Sequence, residues 1–172
     1  VASVFSIFNG VESAYEIAQV QPMILGAFEG LFEGQINAGL VALGLINRDK
    51  KVYDTQEPFI GFNVHIPGIL SLMANRSFGS FVPGMKDLVY GNTEHNILGA
   101  AQKMERGKKA VASLDAYKQA KKADDQEAAA THLAAFNENK AHLGYGYLNK
   151  PEEAVPPVAL SFNAFHVMVI LG

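Results

Sequence analysis

The stretch Val158-Ala159-Leu160-Ser161-Phe162-Asn163-Ala164-Phe165-His166-Val167-Met168-Val169-Ile170-Leu171-Gly172 contains no formal charge. The head, Val1-Ala2-Ser3-Val4-Phe5-Ser6-Ile7-Phe8, contains none either. Apolar patches left exposed are aggregation liabilities unless something covers them, and a packed domain rarely leaves both ends apolar. Both ends are therefore expected to be stumps of transmembrane helices, cut where they enter the bilayer. The chain between them becomes an extramembrane loop, a fragment whose function belongs to a larger protein. A complete span needs about 20 apolar residues, so neither stump crosses a membrane by itself. A buried core helix or strand is the alternative for the tail. The head lacks a basic n-region and does not read as a signal peptide.

The interior is ordinary by composition. At 172 residues with 49% hydrophobic and 18% charged residues, the chain is long and apolar enough to form a core, so wholesale disorder is not expected. A net charge of −3, with no basic stripe interleaved with aromatics, gives nucleic acid nothing to bind. Cysteine is absent, which excludes disulfides, thiolate metal sites and cysteine nucleophiles. His65, His95, His132 and His142 are scattered and make no compact metal-ligand pattern. There is no phosphate-cradling glycine loop and no Gly-x-Ser-x-Gly elbow, so hydrolase and NTPase chemistry have no support.

Organisation follows from punctuation and period. Ser13 to Phe32 reads as helix interrupted at Pro22, where the missing N–H forces a new start. Gln35 to Ile46 is Gly- and aliphatic-rich, a buried or membrane-apposed piece of weak periodicity. Asn47-Arg48-Asp49-Lys50-Lys51 is a polar turn. Tyr53 to Val64 allows short extended stretches, limited by Pro58 and Pro67. Ile66 to Asn75 is a short helix with Pro67 in its first turn, and Ser77 to Gly84 is a loop. The clearest helix runs from about Thr93 to Lys122, with Ile97, Ala101, Met104, Lys108, Val111, Leu114 and Lys118 on one mainly apolar stripe. Asp124-Asp125 caps a second helix to about His142, with Ala128, His132, Ala135 or Phe136, and Leu143 inward. The two form an antiparallel helical hairpin, ended by Gly144 and Gly146. Its many lysines and acids read as a solvated face rather than a membrane-surface patch. Pro151 opens a single turn, and Pro156-Pro157 stop it before the tail helix.

Several short runs stand in a telling order. They are Glu12-Ser13-Ala14-Tyr15, Gln21-Pro22-Met23, Ala27-Phe28-Glu29-Gly30-Leu31-Phe32, and Ile66-Pro67 with Leu70-Ser71. Gly84-Met85-Lys86-Asp87-Leu88, Met104-Glu105-Arg106-Gly107-Lys108, Gly144-Tyr145-Gly146-Tyr147-Leu148 and the Phe165-His166-Val167-Met168 segment follow. Together they resemble the quinol-binding loop (Q-loop) of subunit I of cytochrome bd quinol oxidase, over essentially the whole chain.

The resemblance gives particular residues roles. Glu29 lies in an apolar turn, where desolvation raises a carboxylate's proton affinity; by residue type alone it could equally point to water. The resemblance makes it the group that contacts quinol and takes its proton. The family pairs that acid with a lysine five residues earlier, and here the position is Ile24, which cannot donate to a quinone oxygen. Gln21 offers an amide on the same segment. By residue type Met168 is a packing or lipid-facing residue; the resemblance makes it an axial ligand of the low-spin haem b, its histidine partner lying outside the fragment. A thioether is a soft ligand that raises the potential. His166 stands where many members carry arginine and is read as a haem-propionate or local charge partner.

The expected fold is mainly α: a Q-loop domain over residues 10–157 between helix stumps at 1–9 and 158–172. Within it lie a quinol-site part (10–92), the hairpin (93–143) and a connector (144–157). The implied function is that of a membrane-bound terminal oxidase passing electrons from ubiquinol or menaquinol to oxygen, with haem b among its cofactors. Its implied partners are subunit II and the lipid bilayer of a bacterial cytoplasmic membrane, with the loop on the periplasmic side. The isolated fragment is expected to hold no haem and to be inactive. The competing class is a non-catalytic helical-hairpin scaffold at a membrane surface.

Overall fold

A computed structural model describes residues 2–54 and 58–171; the side chains of residues 2–9, 43, 62 and 63 are outside what it describes. The fold is mainly helical, as the sequence implied. It comprises two compact units, residues 1–88 with 155–172, and residues 89–154.

The first unit opens with α1 (Ala2–Val20) and α2 (Pro22–Glu29). The break falls at Gln21, because Pro22 begins the new helix as its N1 residue. The head, residues 1–9, is helical in backbone from Ala2 onward, and its side chains lie outside the described residues. Two short antiparallel ribbons follow. β1 (Gln35–Ile36) pairs with β4 (Phe81–Val82), and β2 (Leu40–Ile46) pairs with β3 (Ile60–Ile66). The aliphatic run from Gln35 to Ile46, expected as a buried or membrane-apposed piece of weak periodicity, therefore holds the strands β1 and β2. The register of β2 runs from Leu40 opposite Ile66 to Ile46 opposite Ile60, broken by irregularities at Val41/Leu43 and Leu45/Ile46. Those irregularities explain the weak periodicity, since each shifts the in–out alternation. Residues 55–57 of the expected extended stretch lie outside the described residues. β3 also runs through Ile66, so α3 begins only at Ile69 and ends at Asn75. Pro67 sits in the turn before it rather than in its first turn, and the loop expected at 77–84 contains β4.

The core of this unit is Leu25, Leu31, Ala38, Leu70, Ala74 and Val82, with Ile17, Ala18 and Leu40 against it. Ser71 is buried among them and is satisfied twice. Its hydroxyl accepts from the Ala38 amide at 2.8 Å and donates to the Ser80 carbonyl at 2.8 Å. Asp87, in α4 (Met85–Tyr90), accepts from the amides of Gly34 and Gly84 at 2.8 and 2.9 Å. The segment after α2 is thereby tied to the start of α4. The Arg76–Glu12 ion pair is exposed on both sides and is worth less than about 1 kcal/mol.

The second unit holds the hairpin: α5 (Ala100–Lys122) and α6 (Gln126–Asn139), then a 3-10 run from Lys140 to Tyr147. Asp125 caps α6 by accepting from the Ala128 amide at 3.0 Å. The long helix starts at Ala100 rather than Thr93, because residues 92–97 form a closed turn with Asn92 and Ile97 bonded both ways. The buried stripe also differs from the expected one. Met104 is buried, Val111 and Leu114 are half-buried, and Ala101 and Lys108 are exposed. Ala100, Gly107, Ala110 and Ala120 take the inner positions instead. Small residues win there because the 3-10 run crosses α5 backbone to backbone. A Cβ on Gly146 would stand 2.6 Å from the Gly107 carbonyl carbon. Gly144 and Gly146 lie within this run and do not end it.

Gly146→Ala should accordingly lower the stability of the second unit by about 1–3 kcal/mol, the usual cost of overpacking. Asp125→Ala, which removes one cap, should cost about 1 kcal/mol. Amide hydrogen exchange along α5 checks both: protection there should fall more in Gly146→Ala, and equal protection in the two variants contradicts the close crossing.

Candidate functional site

Glu29 is the last residue of α2, and the helix stops there because Gly30 turns left-handed at φ 63° and returns its N–H to Gly26 O. A Cβ on Gly30 would lie 2.6 Å from the Phe59 ring. Glycine is thus required twice, for the turn and for the space. The turn leaves Glu29 only 4% exposed. The Val41 amide donates a hydrogen bond to its carboxylate, while Oε2 is buried with no hydrogen-bond partner among the described residues. Burial disfavours the charged form and pushes this acid up to about 7, against smaller lowering effects of the Val41 amide and the His166 ring.

The acid lines a cavity of about 500 Å³, together with Phe32, Val41, Lys50, Phe59 and His65. One wall is aromatic. Phe32 and Phe59 meet at 5.2 Å between ring centroids, and the Lys50 ammonium lies 5.2 Å over the Phe32 ring. A half-titrated acid, an unsatisfied oxygen and aromatic faces suit a planar ring carrying hydroxyl groups. The carboxylate can accept that hydroxyl's hydrogen bond or its proton near neutral pH.

The tail helix, α7 (Val158–Leu171), packs against this site through rings. Phe165 stacks on Phe28 at 4.8 Å with planes 2° apart. Phe162, 2% exposed, meets Phe59 edge-on at 5.6 Å and stacks with His166 at 4.0 Å. His166 reaches the Val41 carbonyl oxygen with Nε2 at 2.9 Å and the Phe162 carbonyl oxygen with Nδ1 at 2.8 Å. Both neighbours are acceptors, so each contact is a hydrogen bond when that nitrogen carries its proton. The Val41 main chain thereby touches Glu29 with its N–H and His166 with its C=O.

Beyond His166 the helix faces outward. Met168 is 62% exposed, and Val167, Val169, Ile170 and Leu171 are exposed with it. The run Pro151–Leu171 is long and apolar enough to cross a membrane by length and composition. Among the described residues no group of three or more His, Asp or Glu could hold a metal ion. Met168 is a single thioether donor on an exposed, uncharged surface.

The remaining sequence candidates sit apart from the cavity. Gln21 is exposed at the start of α2, and Ile24 is half-buried in its first turn; neither lines the cavity. Sequence reading missed Val41, Phe59 and Lys50. They come from a strand, a proline-flanked loop and a polar turn with no local pattern pointing to a ligand.

A family model for cytochrome bd terminal oxidase subunit I matches residues 1–172. Over 180 aligned residues the chain is 27% identical to the cytochrome bd-II ubiquinol oxidase subunit 1 of Escherichia coli (strain K12), covering 95% of this chain and 31% of that protein. The chain thus spans about a third of the length of that curated relative. With its full length matched, the chain belongs to the cytochrome bd terminal oxidase subunit I family.

Proposed function

We propose that this chain is the quinol-site segment of a membrane-bound terminal oxidase that oxidises quinol and reduces oxygen to water. The observation that carries the reading is the buried, unpartnered Oε2 of Glu29 in a cavity walled by Phe32 and Phe59. A quinol hydroxyl donates to that oxygen and gives up its proton as the ring loses its electrons. The Val41 amide holds the carboxylate in place, and the Phe32 and Phe59 rings give the quinol ring an apolar wall to pack on. Ubiquinol is the substrate in the name of the related E. coli protein, and ubiquinol or menaquinol fits the cavity's chemistry here.

In this reading Met168 would hold the low-spin haem b through its thioether sulfur, and that haem would supply the acceptor for the quinol's electrons. His166, already joined to Val41, acts as the local charge partner of Glu29. The exposed apolar face of α7 meets the bilayer and the rest of the oxidase, including subunit II. The loop lies on the periplasmic side of the bacterial cytoplasmic membrane.

In the intact oxidase, Glu29→Gln should reduce quinol oxidation on the order of 100-fold, within the usual range for a lost general base, at normal haem content. The sign of the pH dependence follows from the raised pKa. Only the deprotonated carboxylate accepts a proton, so kcat/KM for quinol should rise as pH passes upward through about 7. That limb should vanish in Glu29→Gln, and a wild-type profile in the variant contradicts the role.

Met168→Leu separates ligation from packing. The swap nearly conserves volume and costs below about 1.5 kcal/mol if Met168 only packs. Leucine has no donor atom, so the reduced-minus-oxidised spectrum of the intact oxidase should lose its low-spin haem b signal. A signal of normal size and position assigns Met168 to packing.

A further inference from the structure

We infer that Lys50 is the second polar anchor of the Glu29 cavity, a cationic donor that holds the other oxygen of the bound quinol. The inference rests on the quinol reading of that cavity and extends it to a different element of the fold. A quinol ring carries two oxygens, and a single acid satisfies only one of them. The second needs a donor once the ring is oxidised, because a quinone oxygen only accepts. Among the described residues Lys50 is the one lysine or arginine that lines the cavity.

Its position is built rather than incidental. Lys50 closes the turn between β2 and β3, which is pinned by Asn47 N–H to Phe59 O at 2.7 Å and Lys51 N–H to the Asp54 carboxylate at 2.7 Å. The side chain lies over Phe32 and donates to the Asp54 carbonyl oxygen at 3.2 Å. A cation within about 6 Å of a ring face is attracted to it, which restrains an otherwise flexible stem. An ammonium carries three N–H donors, so it can turn one to a ligand oxygen while keeping protein partners such as the Asp54 carbonyl. Of the other charged groups on the cavity wall, Glu33 is an acceptor already paired with Lys86 at 2.8 Å. His65 is the remaining titratable group there, packed against Gly39. Neither Gln21 nor Ile24 lines the cavity, so the donor comes from the hairpin turn and not from the helix that bears the acid.

The test uses the intact oxidase with a short-chain ubiquinol, comparing wild type with Lys50→Met, Lys50→Gln, Lys50→Arg and Glu29→Gln. Haem spectra establish assembly. Lys50→Met should raise KM roughly tenfold, the scale of one lost charge-assisted hydrogen bond, with kcat much less affected. Lys50→Arg should restore KM to near wild type. If Lys50→Met fails to assemble, Lys50→Gln carries the same comparison. An unchanged KM in the assembled variant, or a fall in kcat alone, overturns the Lys50 assignment. If Glu29→Gln is impaired in that case, the quinol reading of the cavity stands without Lys50. If Glu29→Gln also behaves as wild type, the cavity reading fails and the Lys50 assignment goes with it.

Discussion

The main chain of one residue, Val41, organises the site. Its N–H holds the Glu29 carboxylate and its C=O meets His166, so a helix end, a strand and the tail helix converge on the two successive peptide groups that flank a single Cα. The acid has to be buried for its proton affinity to reach the neutral range, and burial without a donor leaves a carboxylate costly to keep. The Val41 bond offsets part of that cost and leaves the other oxygen to a ligand. The ring contacts Phe28–Phe165 and Phe59–Phe162 hold α7 close enough for the arrangement to persist.

Those same rings join two tasks that the sequence keeps far apart. Glu29 and Met168 lie at opposite ends of the chain, yet Phe59 both walls the cavity and packs on Phe162, six residues before Met168. A change that moves α7 therefore also disturbs the cavity wall. Substitutions at Phe162 or Phe165 are structural in position and bear on both ends of the proposed electron route.

Much of this was legible in the residues. Pro22 marked the helix break, Asp125 the cap of α6, and Pro156-Pro157 the start of the tail helix, because each signal is local and backbone-imposed. Glu29 could be singled out since an acid among Ala27, Phe28, Gly30 and Leu31 is locally anomalous. Half of the β2–β3 ribbon was legible: β3 overlaps the extended stretch expected at 53–64, whereas the irregularities of β2 erase the alternation that marks a strand. The stripe on α5 was misplaced because periodicity favours large apolar residues, whereas the crossing with Gly146 selects Gly107. Val41, Phe59 and Lys50 join the site only through contacts across the ribbon, and nothing in their own neighbourhoods announces it.

The reliance on a backbone amide at Val41 has an evolutionary side. A side-chain donor could be lost by almost any substitution, but a main-chain N–H survives every replacement except proline. Residue 41 can drift in identity while the hold on the acid remains. Related chains could therefore diverge widely along this strand without first rebuilding the hold on the proposed proton acceptor.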